Sequence, residues 1–390
     1  MARKQKLPNS NEHIGRQTPR DVKISGTFAE TAKVPKQPPR KITKEEEHAN
    51  NVSMFEFSRQ LGRVDLAIPH FKEELEEMNH EKVGRPFEFP DSMVLWIMSL
   101  MAAFHMTFRA AAGFACGMLE GHGMKSPSTS RLLERANMLV SDIVLTEDAT
   151  LERSLKKGVL LLQASDHVIE RPRRIGLDSS GFITVHQSLW RSIKWKSEKK
   201  THWLKAHVLQ DLDSGEVIAY AITLDSVGDP PMLKPLLEAA VAKGHKFDRV
   251  YGDGAYSTDD NWHYVADDLK VEFVTSFKRN TAPRNNGCVE RGKAARLWCR
   301  TPYQVWTKLT GYSFRWKSEC GFSDVKRAYG EEVRAKTVKG QAREMHFKMV
   351  VYDCHKRCRA GIMKVTGNGV AIGDEIRPAG PSGPTGVHAS

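Results

Sequence analysis

Hydrophobic residues follow two different periods along the chain. From Met54 to about Leu139 they recur every three or four positions, which predicts α-helices. From Arg173 onward, short apolar runs alternate with turn-forming residues, which predicts strands interleaved with helices. We therefore expect a basic disordered arm (1–50), a helical domain (51–140), a connector (141–172), an α/β domain (173–365) and a disordered Gly- and Pro-containing tail (366–390).

The helical region contains several helix-start signals. Asp91 follows Pro90 and precedes the apolar run 93–106, Thr107 can begin a second helix, and the Ser-rich stretch 126–130 precedes a third. Short helices joined by tight turns are typical of a helix-turn-helix that reads DNA. The same pattern also fits a helical bundle that packs on the next domain, so both interpretations stay open.

The α/β region places two aspartates directly after predicted strands. Strands are predicted over 175–177, 203–212, 216–224, 249–252 and 271–277, with helices over 231–244 and 258–268 and a later helix that carries Glu319. Asp178 ends the first strand and Asp253 follows the fourth. Each alone could be a turn residue. Together with Glu319 they indicate a three-carboxylate site, because hard divalent cations prefer oxygen ligands.

Four polar residues are spaced along the predicted helix that carries Glu319 so that they share one face. Tyr312, Arg315, Glu319 and Lys326 stand at offsets of zero, three, seven and fourteen, so at ~100° per residue they fall within about 60° of one another. An apolar core face cannot account for this set. An exposed face with an Arg315–Glu319 ion pair is the plainer interpretation.

These motifs resemble a known family. The spacing Tyr-x2-Arg-x3-Glu-x6-Lys is the signature of DDE-type transposases of insertion sequences, and Tyr312 to Lys326 reproduces it. The stretches 177–182 and 251–256 resemble the family's two Asp motifs, 205–211 its second strand, 277–280 its basic segment and, more loosely, 108–131 its end-binding region. The resemblance covers about residues 85–362.

The resemblance implies a fold and an activity. The fold would be α/β, a ribonuclease-H-like mixed sheet flanked by helices, after an N-terminal all-helical DNA-binding domain. Asp178, Asp253 and Glu319 would be catalytic and would hold two Mg²⁺ ions, with Mn²⁺ as a substitute. Tyr312, Arg315 and Lys326 would contact DNA. The protein would cleave the ends of a mobile element and join the 3′-hydroxyl to target DNA, as a homodimer on double-stranded DNA.

Charge supports a nucleic-acid partner. Lys and Arg outnumber Asp and Glu by 59 to 47, which gives a net charge of +12. Residues 278–300 contain seven Lys and Arg and one acid, so Lys278 and Arg279 are predicted to contact the DNA backbone, with a solvated loop as the alternative. The Trp- and Lys-rich segment 190–205 has the same two interpretations, and the arm either touches phosphates or solubilises the chain.

The remaining features set limits. The six dispersed cysteines favour free thiols in a reducing cytoplasm, with Cys354 and Cys358 as a weak metal-binding alternative. A DNA-binding protein in that compartment would be associated with the nucleoid. The longest apolar run is too short to span a membrane, and no membrane partner is expected. Trp298 and Trp306 could stack on a displaced base or belong to the core. Capping or structural roles suffice for His202, His207, Asp225, Asp229, Asp259 and Asp260.

Two other functions remain in view. One is a catalytically silent, transposase-derived DNA-binding regulator, although all three acids are present. The other is a nuclease of the same fold that hydrolyses DNA without joining it. The interval from Asp253 to Glu319 is too short for the large β-domain that some relatives insert there.

Overall fold

The computed structural model describes residues 44–145, 158–169, 171–185 and 203–367. Within these ranges one mixed sheet of seven strands forms the centre of the α/β region. The strands are β1 (Val159–Ala164), β2 (Arg173–Thr184), β3 (Trp203–Asp211), β4 (Val217–Leu224), β5 (Phe247–Gly252), β6 (Glu272–Thr275) and β7 (Glu332–Val333). Their order across the sheet is β1-β4-β3-β2-β5-β6, and β7 pairs with β2.

The sheet has an antiparallel half and a parallel half that meet at β2. Strands β2, β3 and β4 pair antiparallel in a meander, whereas β5 and β6 run parallel to β2. A turn at Asp213–Gly215 joins β3 to β4, and Gly215 has a φ of +81° there, which favours glycine. This mixed sheet with flanking helices is the predicted ribonuclease-H-like architecture, and N-terminal helices precede it.

Helices cover both faces of the sheet. They are α1 (Lys44–Leu61), α2 (Val64–Ala67), α3 (Phe71–Asn79), α4 (Asp91–Phe104), α5 (Phe108–Glu120), α6 (Thr129–Leu145), α7 (Leu233–Ala242), α8 (Asp259–Trp262), α9 (Val289–Arg300), α10 (Tyr303–Thr310), α11 (Trp316–Tyr329) and α12 (Val338–Gly367). All eight residues of β4 are buried, as expected for a strand covered on both faces.

Each face of the sheet has its own hydrophobic core. One core joins α7 to the sheet and continues to β5, β6 and α9, with Leu236 and Trp262 among its buried residues. The other joins β2 to α11, α12 and the N-terminal helices, with Phe182, Ile97 and Phe347 buried in one cluster. The N-terminal helices therefore share a core with the sheet-covering helices, as the bundle interpretation predicted. This packing does not exclude DNA binding by their outer surface.

Two of the predicted helix caps are confirmed in the N-terminal region, whereas Asp91 is the first residue of α4 and Pro90 is its N-cap. The Thr107 side chain accepts a hydrogen bond from the Ala110 amide at 3.3 Å, so Thr107 is the N-cap of α5. The Ser128 hydroxyl accepts a hydrogen bond from the Arg131 amide at the start of α6. Among the described helices none is long and apolar enough by itself to cross a membrane, and α4 with α5 would qualify only as a pair bent by 117°.

Several predicted boundaries were wrong. Helix α1 begins at Lys44, inside the predicted disordered arm, and the predicted connector contains β1, which pairs antiparallel with β4. Helix α12 runs to Gly367, past the predicted start of the tail, and the rest of the tail lies outside the described residues. Strand β2 is much longer than predicted, because pairing with β3 continues to Ile183. Asp178 therefore lies within β2, not at its end.

Candidate active site

The two predicted aspartates lie at matching positions of neighbouring parallel strands, Asp178 within β2 and Asp253 directly after β5. Gly176 of β2 is the register partner of Tyr251 of β5. Asp178 and Asp253 each follow two residues later, and parallel strands advance by the same ~3.3 Å per residue. Because successive residues of a strand alternate between faces, the sheet itself brings the two aspartates together. The two aspartates are far apart in the sequence, and they come together because β2 and β5 are neighbours in the folded sheet.

Asp178 is a partly buried carboxylate in a crowded acidic environment. Its Oδ1 accepts a hydrogen bond from the Ser179 amide at 2.9 Å, and it lines a small cavity with Ser318 of α11. Burial raises the pKa of Asp178 to about 6, and the Ser179 amide and Arg315 oppose that rise. The negative charges of Glu319 and Asp253 raise this pKa further. Glu319 and Asp253 are therefore both close enough to Asp178 to affect its pKa.

Asp253 occupies a rigid turn at the end of β5. Its side chain accepts the Ala255 amide at 2.8 Å and so caps the short 3-10 turn Gly254–Tyr256. Its carbonyl oxygen accepts the Thr275 hydroxyl of β6 at 2.6 Å. A Cβ on Gly254 would lie 2.9 Å from Ser276 Oγ, which explains glycine at this position. The turn-forming interpretation of Asp253 is thus correct, and it leaves the second carboxylate oxygen available.

Glu319 is exposed in the first turn of α11. Its Oε1 forms an ion pair with Arg315 at 2.5 Å, the i,i+4 pair that the spacing predicted. Among the residues that the structure describes, no three acidic, His or Cys side chains already have an arrangement that could hold a metal ion. In this structure the Glu319 carboxylate is held by Arg315.

The signature residues do not share one α-helix. Tyr312 and Arg315 belong to a 3-10 turn, and α11 begins only at Trp316. Tyr312 is buried, and its hydroxyl donates to Ser276 Oγ at 3.2 Å. The Arg315 guanidinium lies 5.5 Å from the Tyr312 ring. The prediction of a single helical face was therefore wrong, and a DNA contact by Tyr312 stays a prediction.

Lys326 lies further along α11, roughly 10 Å from Glu319 at 1.5 Å rise per residue. Its Nζ is 5.4 Å from the centre of the Phe182 ring. It lines a cavity of about 790 Å³ between α4, α11 and α12, together with Met101, Arg343 and Lys348. Lys326 thus faces the junction with the N-terminal helices.

Some residues of the basic segment are exposed, and some form ion pairs within the protein. Lys278 and Arg279 follow β6 and are exposed. Arg291 is buried and pairs with Asp259 at 2.6 Å, and Lys293 pairs with Glu290 at 2.7 Å. Part of this segment's positive charge is therefore already paired with acids within the protein. The Trp-rich segment to which Trp190 and Trp195 belong lies outside the described residues, as does His202.

Trp298 and Trp306 belong to the core. Both are buried, and their rings meet edge to face with centroids 4.7 Å apart. The alternative that they stack on a displaced base was wrong, since neither ring has an open face. The six cysteines are free thiols, and His355, between Cys354 and Cys358, contacts the Ser53 and Tyr329 hydroxyls at 3.2 Å each.

Sequence reasoning missed the role of Asp229. Asp229 precedes the 3-10 turn Pro230–Met232, but its side chain makes no capping bond there. Its Oδ1 instead accepts the Ser179 hydroxyl at 2.7 Å and pairs with Lys205 at 2.5 Å. His207, predicted to be structural, is fully buried with Nε2 3.0 Å from the Thr223 hydroxyl, and burial lowers its pKa to about 4. No local signal in the chain indicates that Asp229 meets β2.

Comparison with known proteins identifies a family that the α/β region resembles. Residues 170–354 match the family described as "Transposase DDE domain". This stretch begins just before β2, ends within α12 and contains all three predicted acids. Among solved structures, the chain is similar to "Drosophila P element transposase strand transfer complex", at 10% identity and a TM-score of 0.30, over 80% of this chain and 88% of that chain. The α/β region is thus similar to the DDE domains of transposases.

Proposed function

We propose that the protein is a DDE transposase that cleaves DNA at the ends of a mobile element and joins the freed 3′-hydroxyl to target DNA. One observation carries this proposal. Asp178 within β2 and Asp253 directly after β5 each lie two residues beyond the paired residues Gly176 and Tyr251, and Glu319 is close enough to raise the pKa of Asp178. These are the three acids that the family resemblance assigns to catalysis, and they lie inside the matched region.

The three acids suit divalent cations. Asp178, Asp253 and Glu319 would hold two Mg²⁺ ions, or Mn²⁺ in their place, because carboxylate oxygens are the ligands that these ions prefer. Burial chiefly raises the pKa of Asp178, and the charges of Glu319 and Asp253 add to that rise, so bound cations would stabilise the ionised carboxylates. When bound, the ions would activate the attacking oxygen and stabilise the leaving oxygen of the phosphodiester. Glu319 is exposed, so a rotamer change is enough to exchange Arg315 for another partner.

The protein's own side chains would place the DNA. Arg315, released from Glu319, has a planar fork that grips a phosphate with two hydrogen bonds, whereas Lys326 acts as a point charge. Lys278 and Arg279 would contact the backbone beside β6. Asp178 and Asp253 are held by amide hydrogen bonds at 2.9 and 2.8 Å, so their carboxylates are fixed before DNA arrives. Such preorganisation is the main contribution that a protein makes to phosphoryl transfer.

The helical region would bind the element ends. Arg109 of α5 and Arg131 of α6 are exposed on the outer surface of the bundle, and Lys125 lies in the connection between the two helices. Two ends must be brought together for cutting and joining, so we propose a homodimer on double-stranded DNA. A nucleoid-associated, cytoplasmic location follows from that partner.

The test compares the native chain with Glu319→Gln on DNA that carries the element's own termini. We expect Mg²⁺- or Mn²⁺-dependent cleavage and joining by the native chain, and a loss of at least 100-fold in the variant with end binding retained. Joining is measured separately on a precut end. Hydrolysis without joining would indicate a nuclease, and end binding with no cleavage would indicate a DNA-binding regulator.

A further inference from the structure

A polar cluster supports Asp178 from the opposite face of the sheet. Neighbouring residues of a strand point to opposite faces, so Asp178 faces α11 while Ser179 faces the side of α7. On that side the Asp229 Oδ1 accepts the Ser179 hydroxyl at 2.7 Å and pairs with Lys205 at 2.5 Å. His207 Nδ1 lies 3.5 Å from the same oxygen. Residues from β2, β3 and the loop after β4 therefore converge on one carboxylate.

Asp229 is not suited to bind a metal ion itself. Lys205 already neutralises its carboxylate, and the Asp229 side chain is about one-quarter exposed on the face away from Asp178. Nor does it cap the turn that follows it. The Asp229 carboxylate is paired with Lys205 and accepts a hydrogen bond from the Ser179 hydroxyl. Any effect of Asp229 on Asp178 must therefore be transmitted through Ser179.

Ser179 connects the two carboxylates. Its hydroxyl donates to Asp229, and its amide donates to Asp178 Oδ1 at 2.9 Å. Fixing the Ser179 side chain on one face fixes the orientation of its amide, and that amide orients the Asp178 carboxylate on the other. Lys205 also donates to the Val227 carbonyl at 3.4 Å, which ties the loop that carries Asp229 to β3.

The cluster also reaches the second aspartate. Tyr256 ends the turn that Asp253 caps, and its side chain is buried. After burial, the charges of Asp229, Asp178 and Asp253 all raise the pKa of Tyr256, so its hydroxyl lies within electrostatic range of all three carboxylates. Asn261 Nδ2 donates to the Tyr256 carbonyl at 3.0 Å and to the Pro230 carbonyl at 3.1 Å, which ties the turn after β5 to the loop that carries Asp229.

We propose that Asp229 is a positioning residue for the metal-binding carboxylate Asp178, acting through Ser179, with Lys205 as its counter-ion. This inference rests on the proposed function, since it assumes that Asp178 binds the cation. Residues that orient a metal ligand from behind change metal affinity by ~10- to 100-fold when they are removed. The structure gives Asp229 that arrangement.

The experiment measures Mn²⁺ binding to the full-length chain by electron paramagnetic resonance, without DNA. We expect Asp229→Asn and Ser179→Ala each to weaken Mn²⁺ binding ~10- to 100-fold, and Ser179→Thr, which keeps the hydroxyl, to bind within about threefold of native. The matched control is Asp213→Asn. Asp213 is also about one-quarter exposed and ion-paired, with Arg174, but it lies near the opposite end of β2. It should leave Mn²⁺ affinity unchanged.

Each other outcome is decisive. If Asp178→Asn abolishes Mn²⁺ binding but Asp229→Asn and Ser179→Ala leave it unchanged, the positioning role is wrong and the proposed function stands. If Asp229→Asn weakens binding and Ser179→Ala does not, Asp229 acts by its charge alone, which also overturns the proposal. If Asp229→Asn fails to fold, Ser179→Ala and Ser179→Thr still decide. A native chain that binds no Mn²⁺ would overturn the metal assignment of the proposed function itself.

Discussion

At the residue scale, Asp178 shows that a site residue can oppose the stability of the fold that holds it. Its pKa is raised to about 6, chiefly by burial, because an ionised carboxylate loses hydration inside the protein. The folded state therefore binds a proton at Asp178 more tightly than the unfolded chain does. Asp178 contributes stability when protonated, below pH ~4, and that contribution is lost as pH rises through about 6.

Replacement of Asp178 should accordingly stabilise the protein at neutral pH. In EDTA we expect Asp178→Asn to raise the free energy of unfolding at pH 7.5 by up to ~3 kcal/mol, and to have little effect at pH 4. The amide keeps an acceptor for the Ser179 amide, so that bond survives. Urea unfolding at both pH values measures the difference. An equal effect at pH 4 and 7.5 would show that the ionisation of Asp178 is not the cause.

At the element scale, α12 is fastened to the sheet by buried polar contacts as well as by apolar packing. The Tyr220 hydroxyl of β4 lies 2.6 Å from His346 Nδ1, and the Val217 amide donates to Asp353 at 2.8 Å. Lys348 donates to the Gly330 and Glu332 carbonyls, which holds the chain entering β7. Buried polar groups of this kind fix one register of helix on sheet, because any shift would leave them unsatisfied.

Acid should loosen this contact. Burial lowers the pKa of His346 to about 4, so the histidine is neutral in the folded protein but takes up a proton in the unfolded chain below about pH 6.5. Its contribution to stability is present above pH 6.5 and is lost as pH falls toward 4. We expect the native free energy of unfolding to decrease over that range, and His346→Gln to remove up to ~3 kcal/mol of that decrease. Chemical unfolding from pH 7 to 4 tests this, and an unchanged slope in the variant would contradict it.

At the scale of the whole molecule, the N-terminal helices and the α/β region are joined by a shared core. Ile97 of α4, Phe182 of β2 and Phe347 of α12 belong to one buried cluster. Lys326 lies at the same junction, beside the cavity between α4 and α12. A DNA end held by the helices would therefore lie at a defined position relative to the three acids, and the net charge of +12 supplies long-range attraction.

That charge predicts strong salt dependence of DNA binding. We expect the logarithm of the affinity to fall linearly with the logarithm of salt concentration, and Lys278→Ala with Arg279→Ala to reduce the slope by about two. Lys293→Ala is the matched control, because it removes one positive charge from the same basic segment at a residue that pairs with Glu290. Fluorescence anisotropy with duplex DNA from 50 to 300 mM salt measures both. Equal slopes for the double variant and native chain would exclude Lys278 and Arg279 from the interface.

The amino-acid sequence by itself determined what depends on near neighbours. The Thr107 cap, the buried run that forms α4, the apolar strands around Asp178 and Asp253, and the Arg315–Glu319 pair all follow from residues within about four positions of one another. Those local patterns were enough to predict the main strands and helices of the α/β region and to select the three acids. The family resemblance added the expected fold and the activity that we propose.

Only the tertiary structure decided the rest. The pairing of β1 with β4, the burial of Trp298 and Trp306, and the contact of Asp229 with Ser179 join residues that are remote or whose environment is set by other elements. Asp229 lies in a turn where capping is the usual role, and its real partner is on a strand fifty residues earlier. Such contacts are set by strand order and packing across the sheet, and a local pattern of hydrophobic and polar residues cannot predict them.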